Sequence, residues 1–302
     1  MEAMPASIVT NGLTKSYDGP IALDHLDLEV ERGEIFGFLG PNGAGKSTAI
    51  RLLLDLIRPT AGNASIHGHD CQSESETVRS LVGYLPGDLR LYPGMTVQGT
   101  IDYIAGMRRR PVNPSFVATL ADRLSLDTSR RVGGLSKGNR QKIGVVLALI
   151  DEPPVLLLDE PTSGLDPLLQ HVVWNLLRDE AEKGCTVFFS SHVMSEVDTV
   201  CERVGILRGG KLVAVEPVSA LKERAGRSVS VTFAGEPPPS GVIDSAGITE
   251  VGREGAEVRF AVSGDMDPLI KALAHHKVHD LKSEEPSLDE IMVGFYQQEL
   301  AG

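Results

Sequence analysis

The stretch IFGFLGPNGAGKST, Ile35 to Thr48, decides how the rest of the chain is read. Its first five residues are largely apolar and read as a short buried strand. Gly40 to Thr48 then fits the pattern G-x-x-x-x-G-K-[ST], and a helix-period segment, Lys46–Ile57, follows. Strand, glycine-rich turn and helix are the context in which that pattern holds phosphate. Glycines let the backbone wrap closely around anionic oxygens, and backbone amides with a helix N-terminus supply positive potential. In such a turn Lys46 reaches the β- and γ-phosphates, the Ser47 hydroxyl coordinates Mg²⁺, and Thr48 lies near the α-phosphate. The expected ligand is a nucleoside triphosphate.

A second apolar strand, in VLLLDEP (Val155 to Pro161), ends in two carboxylates. Asp159 is expected to hold Mg²⁺ through water, and Glu160 to orient or deprotonate an attacking water as general base. A third strand, TVFFSS, runs into His192. Strands Ile35–Leu39, Val155–Leu158 and Thr186–Ser190 all end in polar residues. In a parallel sheet those ends share one edge, where ligands bind, so His192 is within reach of a γ-phosphate. LSKGNRQ, Leu135 to Gln141, opens the helix carrying IGVVLALI, with Ser136 as its N-cap.

Apolar clusters alternate with helical segments such as Pro167–Lys183, which argues for a parallel sheet with crossover helices. Ala22–Glu34 alternates apolar and polar residues and reads as a half-buried, antiparallel strand. Leu89–Leu135 shows helical pieces around Thr96–Met107 and Pro114–Leu126, and no convincing strand.

The order of these motifs resembles the ATP-binding subunit of an ABC transporter, over residues 7–216. GPNGAGKST, LSKGN (Leu135–Asn139) and VLLLDEP follow one another as in that family. SGLD, Ser163–Asp166, resembles its D-loop, and His192 its switch histidine. Tyr17, in LTKSYDG, matches the aromatic residue that stacks on adenine. The resemblance implies a P-loop NTPase of the α/β class with an inserted helical subdomain, about 89–150, and an antiparallel β subdomain. It implies ATP and Mg²⁺ as cofactors, bound by Tyr17, Gly40, Pro41, Asn42, Gly43, Ala44, Gly45, Lys46, Ser47 and Thr48. Lys46, Glu160 and His192 are the implied catalytic residues, and Ser47 and Asp159 the metal residues. It further implies an ATP-dependent head-to-tail homodimer. There Leu135, Ser136, Lys137, Gly138 and Asn139 of one chain close over the other's nucleotide, beside Ser163, Gly164, Leu165 and Asp166. Hydrolysis would drive a separate membrane permease.

Two departures stand out. Lys137 and Asn139 replace the commoner Gly and Gln of the signature. Gly87, in GYLPGD, stands where the family carries a Q-loop side chain, and Asp88 is a candidate substitute as metal ligand. The tail EPSLDEIMVGFY, Glu285 to Tyr296, resembles drug-resistance-type ATPases that pair with ABC-2 permeases. Export of a drug, antibiotic or other hydrophobic small molecule is therefore expected. An importer subunit and a soluble ABC ATPase are the alternatives.

Composition agrees with that setting. Acidic residues outnumber basic ones, 41 to 29, for a net charge of −12, so no nucleic-acid partner is expected. Three scattered cysteines make no disulfide framework. No apolar run approaches a membrane span and no signal peptide is expected. The protein is expected in the cytoplasm, peripheral at the inner face of the cell membrane through its permease.

After Val215 the texture changes. The expected division is 1–216, the ATP-binding domain, and 217–302, a small α+β accessory domain. There 14 acidic and 8 basic residues give a net −6. Strands Arg227–Ala234, Ala256–Val262 and Val278–Ser283 and a helix Met266–His275 are read, with a short ordered piece at Val242–Ser245. Together they suggest a ferredoxin-like β-α-β-β-α-β order, with a last helix at Ser287–Gln298.

Overall fold

The computed structural model describes residues 6–243 and 245–284, with the backbone alone over 223–225. The chain divides into two compact units, Met1–Val215 and Glu216–Gly302.

The first unit opens with β1 (Ile8–Ser16), β2 (Ile21–Val30), β3 (Ile35–Leu39), helix α1 (Lys46–Leu53), β4 (Ala61–Ile66) and β5 (His69–Asp70). It continues through α2 (Ser75–Leu81), β6 (Val82–Leu85), α3 (Val97–Ala105), α4 (Pro114–Arg123), α5 (Lys137–Leu149) and β7 (Val155–Asp159). It closes with α6 (Pro167–Glu182), β8 (Thr186–Ser191), α7 (Met194–Val200), β9 (Arg203–Arg208) and β10 (Lys211–Pro217). Strands β2-β1-β4-β5 form one sheet, and β10-β9-β3-β8-β7-β6 the other.

β2 alternates because one face is wet, and it pairs antiparallel with β1. The central strands behave differently. Every residue of β3, β7 and β8 is buried, as expected of parallel strands covered on both faces. β6, β7, β8, β3 and β9 pair in parallel. Phe188 of β8 packs its ring against Phe36 and Phe38 of β3, at 5.8 and 5.1 Å between centroids. Trp174 of α6 covers Phe189 at 5.1 Å.

Register brings the C-terminal strand ends level. Leu39 lies opposite Ser191, Asp159 opposite Ser190, and Leu85 opposite Leu158. Whatever follows β3, β6, β7 and β8 therefore meets at one edge.

Helix α1 ends four residues before the expected Ile57. Leu54 is its C-cap, and Asp55, at φ 54°, turns the chain out of the helix. Between β6 and α5 the sequence forms α3 and α4 and no named strand. Asn113 caps α4, ahead of Pro114 in its first turn.

The second unit holds α8 (Val218–Ala225), β11 (Arg227–Phe233), β12 (Ile248–Glu254), β13 (Glu257–Val262), α9 (Asp267–Leu273) and β14 (Val278–Glu284). Its sheet order is β12-β13-β11-β14, antiparallel at each junction. β11 and β12 thus run the same way with β13 between them, the split arrangement of a ferredoxin-like sheet. Among the described residues the crossover from β11 to β12 contains no helix. The second strand is Ile248–Glu254, which the sequence reading does not single out, and Ser245, in the expected short ordered piece, bridges to Ile248. Val229, Val231 and Phe233 alternate inward on β11 and join Val258, Phe260, Val262, Leu269 and Leu273 in one core. The expected helix at Ser287–Gln298 lies outside the described residues.

Candidate functional site

Gly40 leaves β3 with its amide donating to the Ser191 carbonyl, 3.2 Å away. Pro41, Asn42 and Gly43 form an exposed tip, and Ala44 turns back under it with its amide on the Pro41 carbonyl. Gly45 is the N-cap of α1 at φ 109°. A Cβ there would also lie 2.3 Å from the Ala22 carbonyl oxygen, so both conformation and space demand glycine. Lys46 is 5% exposed and folds back over the turn. Its Nζ donates to the carbonyls of Gly40 at 2.6 Å and Pro41 at 3.0 Å. Burial pushes its pKa down, and the carboxylates of Glu160 and Asp159 pull it back up. Ser47 and Thr48 follow, half-buried, in the first turn.

Asp159 ends β7 with its carboxylate buried. The Ser190 hydroxyl, opposite in register, donates to its Oδ1 at 2.5 Å. Glu160 leaves the strand at φ 52°, an uncommon conformation for a residue with a side chain. Its amide donates to the Ser190 carbonyl, and its Oε1 lies 2.9 Å from His192 Nδ1. The structure thus gathers Lys46, Asp159, Glu160 and His192 at the edge where β3, β7 and β8 end.

Asp88 is placed differently. Its carboxylate is 72% exposed, and Oδ2 accepts from Arg90 Nε at 3.0 Å and Nη2 at 2.8 Å. Tyr17 stands in the turn between β1 and β2, 44% exposed, with the Lys15 ammonium 5.0 Å from its ring centroid.

Ser136 caps α5, its Oγ accepting from the Asn139 amide at 3.3 Å and from Asn139 Nδ2 at 3.2 Å. Leu135 is buried behind it. Lys137 Nζ donates to Ser163 Oγ at 2.8 Å. A Cβ on Gly138 would stand 2.6 Å from the Gly164 carbonyl oxygen. Leu165 is buried and Asp166 caps α6, accepting from the Leu169 amide. The LSKGN and SGLD turns therefore touch within one chain. Lys137 and Ser163 supply the polar side-chain contact between them, while Ser136 and Asp166 cap their own helices.

Two supporting residues escaped the sequence reading. Gln141, 6% exposed in α5, donates Nε2 to the carbonyls of Glu160 at 2.9 Å and Pro161 at 3.0 Å. It holds the turn that presents Glu160. Glu196, in the first turn of α7, accepts from the hydroxyls of Thr162 and Ser191. The sequence signal for Gln141 is a polar residue just ahead of the apolar run IGVVLALI, Ile143 to Ile150.

A phosphate-binding turn and a carboxylate pair at the end of a parallel sheet define a nucleotide triphosphatase of the P-loop class. The sequence model of the ABC transporter family matches residues 23–163. The daunorubicin/doxorubicin resistance ATP-binding protein DrrA of Streptomyces peucetius is 31% identical over 94% of this chain and 97% of its own length. The Escherichia coli (strain K12) protein named "Probable multidrug ABC transporter ATP-binding protein YbhF" is 35% identical over 74% of this chain, which spans 40% of that protein's length. The solved "Structure of ATP binding subunit of ABC transporter" superposes with a TM-score of 0.66 at 28% identity, covering 72% of this chain and 92% of that one. The chain belongs to the ABC transporter family and carries its ATP-binding ATPase domain.

Proposed function

We propose that this chain is the ATP-hydrolysing motor of a membrane exporter, driving a separate permease for a drug, antibiotic or other hydrophobic small molecule. The observation that carries the hydrolytic part is the meeting of Lys46, Asp159, Glu160 and His192 at one sheet edge. The relatives' names, drug resistance and multidrug transport, support export.

In this reading the amides of Gly40–Thr48 and the Lys46 ammonium hold the phosphates. Lys46 exchanges the Gly40 and Pro41 carbonyls for phosphate oxygens. The Asp159 carboxylate and Ser47 hydroxyl are hard oxygen donors, which suits Mg²⁺. Mg²⁺ held there would offset the negative charge of the bound phosphates. Glu160 accepts the proton of the attacking water, and His192 fixes its carboxylate through Oε1. Tyr17 offers its exposed ring to adenine.

Two copies pair head to tail, and the exposed Ser136 turn of each closes over the nucleotide of the other. The LSKGN turn's own contacts run to SGLD, which supports a role toward a second chain. Among the described residues no helix is long and apolar enough to cross a membrane, so the membrane step belongs to a partner at the inner face of the cell membrane. The tail EPSLDEIMVGFY supports an ABC-2 type permease.

The test is turnover by the purified full chain. Glu160→Gln lowers ATP hydrolysis by about a hundred- to ten-thousandfold, the usual worth of a general base, and keeps ATP binding. Lys46→Ala weakens binding as well. Wild-type turnover by Glu160→Gln contradicts the assignment of the base.

A further inference from the structure

Glu196 is a buried carboxylate that the hydrolytic scheme leaves without a role. It stands in the first turn of α7, and among the described residues no lysine, arginine or histidine forms an ion pair with it. A buried charge without a counter-ion has to be met by hydrogen-bond donors. Two hydroxyls meet this one. Oε1 accepts from Thr162 Oγ1 and Oε2 from Ser191 Oγ, and both donor residues are 1% exposed. Hydroxyl bonds to an ionised carboxylate are among the stronger ones.

The two donors lie on the two segments that carry the reacting groups. Thr162 comes two residues after Glu160, and Ser191 immediately precedes His192. The β7–β8 pairing ends at Asp159 and Ser190, so strand pairing does not fix where the residues beyond it stand. Gln141 holds the first segment, through the Glu160 and Pro161 carbonyls. Glu196 ties that segment to the second. Ser191 Oγ also accepts from the Val193 amide at 2.9 Å, so the tie reaches the backbone on both sides of His192. Across the tied segments Glu160 Oε1 meets His192 Nδ1 at 2.9 Å.

We infer that Glu196 is a positioning residue for ATP hydrolysis: through Thr162 and Ser191 it sets the separation of Glu160 and His192, and so the direction in which the Glu160 carboxylate faces the attacking water. This rests on the reading of Glu160 as general base, and goes beyond it by naming what keeps the base in register with its histidine. The oxygens of Glu196 are occupied, so it acts through the two segments and not on the phosphates. Its loss therefore slows the chemical step and spares nucleotide binding, which belongs to Gly40–Thr48.

The experiment is ATP hydrolysis by the purified full chain, with kcat and KM separated, beside calorimetric binding of a non-hydrolysable ATP analogue. Glu196→Ala lowers kcat about ten- to a hundredfold, the scale of a small misplacement of reacting groups, and leaves analogue affinity unchanged. Glu196→Gln recovers most of that loss, because its amide oxygen accepts from one hydroxyl and its Nε2 donates to the other. The deciding comparison places Glu196→Ala in the Glu160→Gln protein. Residues that act as a unit are not additive, so the second change costs almost nothing there. Thr162→Val keeps the side chain's shape and removes one donor. It gives a smaller loss of kcat with the same dependence on Glu160, and decides the matter if Glu196→Ala does not fold. An equal loss with and without Glu160 overturns the proposal, since the effect would not pass through the base. Wild-type kcat in Glu196→Ala overturns it, as does an analogue affinity that falls as far as kcat, or a Glu196→Gln protein as slow as Glu196→Ala. Wild-type turnover by Glu160→Gln would instead remove the general base itself, and the proposal with it.

Discussion

Glu160 is held at φ 52°, where an L-residue costs about 1–2 kcal/mol. The conformation persists because its surroundings fix it. Ser190 accepts the Glu160 amide, His192 meets its carboxylate, and Gln141 takes its carbonyl together with that of Pro161. Gln141 is the least replaceable of these, since one buried amide serves two acceptors. Gln141→Ala leaves both carbonyls without that donor, and stability falls by about 1–3 kcal/mol. Urea denaturation of the two proteins checks this. ATP turnover falls in the same variant as the Glu160 turn loosens. An unchanged denaturation midpoint would show that the two bonds contribute nothing net.

Among the elements, the strands that build the edge are readable because they are short apolar runs ending in chemistry: IFGFL before the glycines, VLLLD before Glu160, TVFFSS before His192. Burial on both faces removes any alternation and leaves an unmistakable cluster. β12 is harder to see. ITEVGRE buries only Ile248, and its pairing with β13 slips between Glu250 and Gly252, so its alternation is broken. The Gln141 bonds are invisible in sequence for another reason. They join residues apart in the chain, and it is the packing of α5 on β7 that carries Gln141 to the turn after Asp159.

The second unit gives a test at this scale. Phe260 is 1% exposed and sits amid Val229, Val231 and Leu269. Phe260→Ala costs that core about 3–5 kcal/mol. At about 1.4 kcal/mol per decade, amide exchange across 227–262 accelerates by about a hundredfold or more where opening of the unit limits it. Exchange over Ile35–Leu39 and Val155–Asp159 stays as it was. Unchanged exchange in the second unit would remove Phe260 from its core.

At the scale of the whole molecule, the described residues supply a nucleotide edge, an exposed signature turn joined to SGLD through Lys137 and Ser163, and no helix long and apolar enough to cross a membrane. In the proposed reading the nucleotide edge of one chain is closed by the signature turn of a second copy. In that reading hydrolysis parts what nucleotide joined, and a permease would use that cycle. The joining step is tested most directly by light scattering on the full-length Glu160→Gln protein, which binds ATP and hydrolyses it slowly. It is a monomer without nucleotide and a dimer with saturating ATP and Mg²⁺. A monomer in both conditions would contradict the head-to-tail pairing of two chains around ATP.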